Sequence, residues 1–114
     1  MGAQHEIPLM VSAYQKGIRN YDVDKAYEAV KKTLTTQGTA LSSGGIVGNR
    51  HLDVYLKYGF VPYGEKSHHN VFGTTYEGPT SNTLEYAFDD WNAAQFAKLL
   101  AMKRIMIILQ RQCL

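Results

Sequence analysis

The chain has 114 residues, room for one domain at most or part of one, and 45% of them are hydrophobic, an ordinary share for a globular protein. Its formal net charge of +2 is spread without a basic run, which argues against nucleic acid as the partner, because phosphate binding needs clustered Lys and Arg. A single cysteine, Cys113, excludes an internal disulfide and a multi-cysteine zinc site, and no run of about eighteen apolar residues exists to span a membrane.

The opening MGAQHEIPLM has no basic region followed by a long apolar stretch, so it does not read as a signal peptide. The first helix is expected over Ile7 to Ile18, with Pro8 suited to a first-turn position. Ile7, Val11, Tyr14 and Ile18 share one face, and Leu9, Met10 and Ala13 widen the stripe, so this helix should be well buried. Gly17 weakens its end, and RNYD reads as a turn.

The second helix is expected from Val23, with Asp22 as its cap and Asp24 at the positive end of the dipole. Val23, Ala26, Tyr27, Val30 and Leu34 follow helical spacing, while Lys25, Glu28, Lys31 and Lys32 take the other side. From Thr35 to Thr80 the chain is rich in Gly, Ser, Thr, Asn and Pro and reads as a long loop, interrupted at HLDVYLKYGFVP by a helical turn or two ending near Gly59. A loop of this length in a compact domain is more often functional than idle.

The third main helix carries the segment TLEYAFDDW. Asn82 and Glu85 stand in the N-cap and N3 positions of a capping box. At 100° per residue, Leu84, Ala87, Phe88 and Trp91 form one apolar face, and Tyr86, Ala93, Ala97 and Leu100 form a second, nearly opposite. Between them runs a polar stripe of Glu85, Asp89 and Asn92. The pattern fits an inner helix of a helical barrel, or a helix sandwiched between two others.

Glu85 and Asp89 are a like-charge i, i+4 pair, which destabilises an isolated helix and requires compensation. Two readings stand. The seam can face a cavity in which the carboxylates accept hydrogen bonds from sugar hydroxyls or help hold a hard cation such as calcium. Alternatively, Glu85 caps the helix while Asp89 and Asp90 pair with Arg or Lys elsewhere. His5, His51, His68 and His69 have no recognised metal-ligand spacing; GGIVGNR lacks the Lys-Ser/Thr ending of a phosphate loop; Ser42 and Ser43 lack a nucleophile-elbow pattern.

Three segments in order, HEIPLMVSAYQKGIRNYDVDKAYEAVKKT, YLKYGFVP and SNTLEYAFDDWNAAQFAKLL, resemble the catalytic region of glycoside hydrolase family 92, the bacterial exo-acting α-mannosidases. The likeness covers most of residues 4 to 100, weakest in the middle loop. It implies an all-α chain: three main helices of an (α/α)6 barrel, with the Gly/Ser/Thr-rich loop between the second and third. A β-sandwich domain and the remaining barrel helices would be partners from the parent protein. It also implies calcium-dependent, inverting hydrolysis of terminal α-linked mannose in a mannose-containing glycan, and a periplasmic or secreted parent. Inversion needs one carboxylic acid and one carboxylate base, spaced to admit water. In the resemblance that pair lies downstream, so no catalytic residue is assigned here. Calcium ligands are expected mostly outside this chain, and a fragment of this kind should be inactive alone and marginally stable.

Glu85, Asp89, Asp90 and Trp91 are then the candidates for lining or supporting the pocket, with Asp89 or Glu85 for sugar contact and Trp91 packing beneath. Gln4 and Glu6 depart from the family pattern, which has Asn and Ala there. The runner-up is a non-catalytic helical interaction or scaffold module that docks a partner through the two-sided apolar helix. The two differ in one observable: a barrel slice leaves apolar surface open, whereas a scaffold module closes a three-helix core.

The tail AMKRIMIILQRQCL, 101 to 114, contains no Asp or Glu. One permitted back-translation, read one base earlier, gives GNEEDYDYFTKAMP, closer to the family's continuation after AKLL. The chain is therefore divided into 1–100, a partial glycosidase catalytic domain, and 101–114, a frameshifted or non-native tail, with a divergent helical extension as the alternative.

Overall fold

The computed structural model of the chain describes residues 4–43, 46–49, 51–63 and 79–112. Their order is α1 (Glu6–Gln15), α2 (Val23–Thr35), a two-residue ladder of β1 (Thr39–Ala40) and β2 (Ile46–Val47), α3 (Leu52–Tyr58) and α4 (Pro79–Gln112). The described chain is thus helical, apart from one short antiparallel ribbon.

α1 stops three residues before the expected Ile18 because Gly17 takes a left-handed conformation at φ 89°. The Gly17 amide donates to the Tyr14 carbonyl and the Ile18 amide to the Ala13 carbonyl, the paired bonds of a Schellman ending. Only Ile7, Val11 and Tyr14 of the helix are buried. Leu9 is 70% exposed, so the broad burial expected of this helix is reduced to one face: no described element packs on its other side.

α2 forms as its pattern dictates. The Asp22 side chain accepts from the Lys25 amide at 3.0 Å, and Val30 and Leu34 are buried. The loop after it is more structured than its composition suggests. Thr39 pairs with Val47 and Ala40 with Ile46, and the Gly38 amide donates to the Asn49 carbonyl. Gly48, at φ 92°, passes so close to Gly38 that an added Cβ would lie 3.2 Å from its Cα. The Asn49 side chain is buried and donates to the Thr33 carbonyl, tying the ribbon to the end of α2. α3 ends, as its sequence indicates, at left-handed Gly59.

α4 is the common wall. Along one side it presents Tyr86 to Val54 and Val61, Ala93 to Ile7, Val30 and Leu34, and Phe96 and Leu100 to Val11 and Tyr14. Phe96 is fully buried, its ring 5.6 Å from Tyr14 and 5.8 Å, edge-on, from Tyr27. The helix begins by Pro79, so Asn82 lies inside the first turns and is not the expected cap. The other expected apolar face, Leu84, Ala87, Phe88 and Trp91, is exposed throughout. Residues 101–111 continue the helix and are exposed on every side. No described helix is long and apolar enough to cross a membrane. His68, His69 and Cys113 lie outside the described residues.

Candidate functional site

The helical repeat separates the carboxylates of TLEYAFDDW. Glu85 and Asp89, one turn apart, lie toward the start of α1, and Asp90, about 100° further round, lies toward α3. On the α1 side the Gln4 amide donates to Asp89 Oδ2 at 3.0 Å. Asp89 is fully buried, and its Oδ1 has no hydrogen-bond partner among the described residues. Burial pushes the Asp89 carboxyl above the ordinary range; the Gln4 amide and His5 oppose that, and the charges of Glu85 and Glu6 add to it. His5 Nδ1 stands 3.9 Å from Glu85 Oε2, with both side chains roughly half exposed. This is the compensation that the like-charge pair requires. It comes from an amide and an imidazole, and no Lys or Arg is bonded to Asp89 or Glu85 among the described residues.

On the α3 side the Tyr55 hydroxyl donates to Asp90 Oδ2 at 3.0 Å. Burial raises the Asp90 carboxyl, and the Tyr55 hydrogen bond partly offsets the rise. The Tyr55 phenol is pushed up to about 12 by burial and then by its bond to Asp90 and the negative charge there, so it stays a donor throughout the physiological range. The Tyr55 ring meets Tyr86 edge-on at 5.3 Å, the His51 amide donates to the Tyr86 hydroxyl, and the Val61 amide donates to Thr83 Oγ1. Asp90 thereby helps seat α3 on α4.

The structure therefore brings together Glu85, Asp89 and His5, and separately Asp90 and Tyr55. Trp91 joins neither group: it is 59% exposed, about 200° around the helix from Asp89, and does not pack beneath the carboxylates. Sequence reasoning missed Tyr55 and the Gln4 amide. A main-chain donor has no sequence signal, and Tyr55 was one of eight tyrosines. The Gln4 contact uses the backbone, so Gln in place of the family's Asn does not alter it.

Calcium requires about six to eight oxygen ligands. The described residues include no group of three or more metal-binding side chains, and one oxygen of Asp89 is already held by an amide. They do not fit a calcium site. An open groove of about 360 Å³ lies elsewhere, between Tyr21–Asp24 and Leu100–Ile107, bordered by an exposed Arg104–Asp24 pair at 3.3 Å.

Compared with known proteins, residues 1–111 match the family model described as the glycosyl hydrolase family 92 catalytic domain. No curated protein and no solved structure matches the chain.

Proposed function

Because the chain belongs to glycosyl hydrolase family 92, we propose that it is part of the helical catalytic domain of a glycosidase that removes terminal α-linked mannose with inversion, with calcium assistance. The family match over nearly the whole chain carries this reading. The open apolar face Leu84, Phe88 and Trp91 supports the barrel-slice form of it over a closed scaffold module, since further helices would cover that face.

Within this reading Glu85, Asp89 and Asp90 are not the reacting pair. An inverting pair needs two available carboxyl groups about 6.5–9.5 Å apart with water between them. Asp89 is buried on the Gln4 amide and Asp90 is bonded to Tyr55, whereas the Glu85 side chain is 42% exposed and is held only by a long contact to His5 among the described residues. Asp89 and Asp90 act as positioning residues that fix α1 and α3 on α4, and Glu85 is the remaining candidate for touching a sugar hydroxyl. The acid, the base and the calcium ligands are then supplied by parts of the parent domain other than these residues. The tail from Ala101 belongs to the same proposal: its lack of acids and its exposure on all sides fit an out-of-frame extension.

The coding DNA with its flanks tests both parts. The shifted frame should continue after Leu100 as GNEEDYDYF into a longer glycosidase; a gene without that frame removes the tail proposal. The restored full-length protein should release mannose from terminal α-mannosides as the inverted anomer, seen by NMR, and lose that activity to a calcium chelator. The 114-residue chain should release none. A restored protein without α-mannosidase activity overturns the functional reading.

A further inference from the structure

The start of α1 is fastened to α4 through a carboxyl group that is costly to ionise where it stands. Asp89 is fully buried; its Oδ2 accepts the Gln4 amide at 3.0 Å, and its Oδ1 has no hydrogen-bond partner among the described residues. A buried carboxylate with one oxygen unsatisfied costs far more than the neutral acid in the same place. The charges that act on Asp89 are His5 and Glu6 from α1 and Glu85 from its own helix, two carboxylates against one imidazole. None acts on it from α2 or α3 among the described residues.

The part of the chain that covers Asp89 is also the part most easily lifted. Gln4 and His5 precede the helix, and in the first turn Glu6 and Leu9 are exposed and only Ile7 is buried. Ile7 packs with Val30 and Leu34, whereas Val11 and Tyr14, further along α1, are packed with Phe96 and Leu100. The first turn can therefore open while the rest of the helix keeps its seat. Helix ends with few buried side chains are where such partial openings begin.

We infer that Asp89 works as a proton-held latch: the first turn of α1 stays closed on α4 while Asp89 is neutral and lifts away as Asp89 ionises. The sign follows from linkage. The closed form holds the Asp89 proton more tightly than an open form in which water reaches the carboxyl, so rising pH favours the open form. The Gln4 amide bond favours the ionised carboxylate and opposes the opening, and burial outweighs it. The latch extends the positioning role of Asp89 and is independent of the substrate of the parent domain.

Amide hydrogen exchange of the 114-residue chain, followed by NMR from about pH 4 to about pH 8, tests it. The reporters are the Gln4 amide, which donates to Asp89, and the Ile7 amide, which donates to the Gln4 carbonyl. Their protection should fall as pH rises, by about tenfold for each unit by which burial has raised the carboxyl. The Val30 and Leu34 amides of α2 should stay better protected at every pH. Asp89→Asn keeps an oxygen for the Gln4 amide and cannot ionise, so its protection at Gln4 and Ile7 should be independent of pH. Equal protection in α1 and α2 at every pH overturns the proposal, because the chain then opens only as a whole. A pH dependence that persists in Asp89→Asn also overturns it, assigning the effect to the His5–Glu85 pair. So does protection in the parent chain that rises with pH, or α1 amides unprotected at every pH.

Discussion

The two long faces of α4 both carry large apolar side chains and have opposite fates. One, through Tyr86, Ala93, Phe96 and Leu100, is covered by α1, α2 and α3; the other, through Leu84, Phe88 and Trp91, meets no described element. Hydrophobicity at helical spacing identifies a face that a partner can cover, and does not say that the partner is present. The sharpest test of the contrast sets Phe96 against Trp91. Phe96→Ala removes a fully buried ring from between Tyr14 and Tyr27 and should cost about 3–5 kcal/mol in urea unfolding, enough to unfold a marginal chain. Trp91→Ala, measured where the chain is monomeric, should change stability by no more than about 0.5 kcal/mol. Equal losses at the two positions would erase the distinction.

The polar seam between the faces is tested next, by pH. The folded Asp89 and Asp90 carboxyls both lie above their usual value, so the native state holds these protons more tightly than the unfolded chain. Stability from these groups is therefore greatest below the ordinary carboxylate range and is lost as pH rises through their raised values. Asp89→Asn keeps an oxygen for the Gln4 amide and removes the buried charge. It should raise the urea midpoint at neutral pH and flatten the decline in stability above the carboxylate range. A variant less stable than the parent at neutral pH would mean that the ionised form is the one the fold selects.

A smaller effect separates the two carboxylate neighbourhoods. Tyr55→Phe removes the hydroxyl's bond to Asp90 while leaving the ring on Tyr86, and should cost about 1.5 kcal/mol. Hydrogen exchange should locate the loss in α3, with α1 and α2 unaffected. Loss of protection across all four helices would show that Asp90 and Asp89 belong to one cooperative unit.

How much of this was legible follows the range of the interactions. The Asp22 cap, the Gly17 stop and the Gly59 stop are local, and each acted within a few residues of the position that announced it. Asn82 mimicked a cap because its spacing to Glu85 was right, but Pro79 had already begun the helix. Pro is well suited to a first helical position, and that signal had been absorbed into the loop. The separation of Asp89 from Asp90 followed from the helical repeat alone. Their partners did not: Gln4 and Tyr55 lie 85 and 35 residues away, and one of them contributes only its backbone. The ribbon at Thr39–Val47 was hidden because two-residue strands leave no alternation to detect.

Glu85 is the member of the seam whose removal should matter least to stability and most to the electrostatics of its neighbour. Its contact with His5 is long and solvent-exposed, a geometry worth under about 1 kcal/mol. Against that stands its repulsion of Asp89 one turn away, about 0.2–0.5 kcal/mol in the opposite sense. Glu85→Gln should therefore leave the unfolding free energy at neutral pH, measured in urea, within about 0.5 kcal/mol of the parent. Because the Glu85 charge is one of the causes that raise the Asp89 carboxyl, the same substitution should lower the pH at which the decline in stability levels off. An unchanged pH profile would mean that solvent screens Glu85 from Asp89. The two would then face different surroundings, although they share one side of one helix.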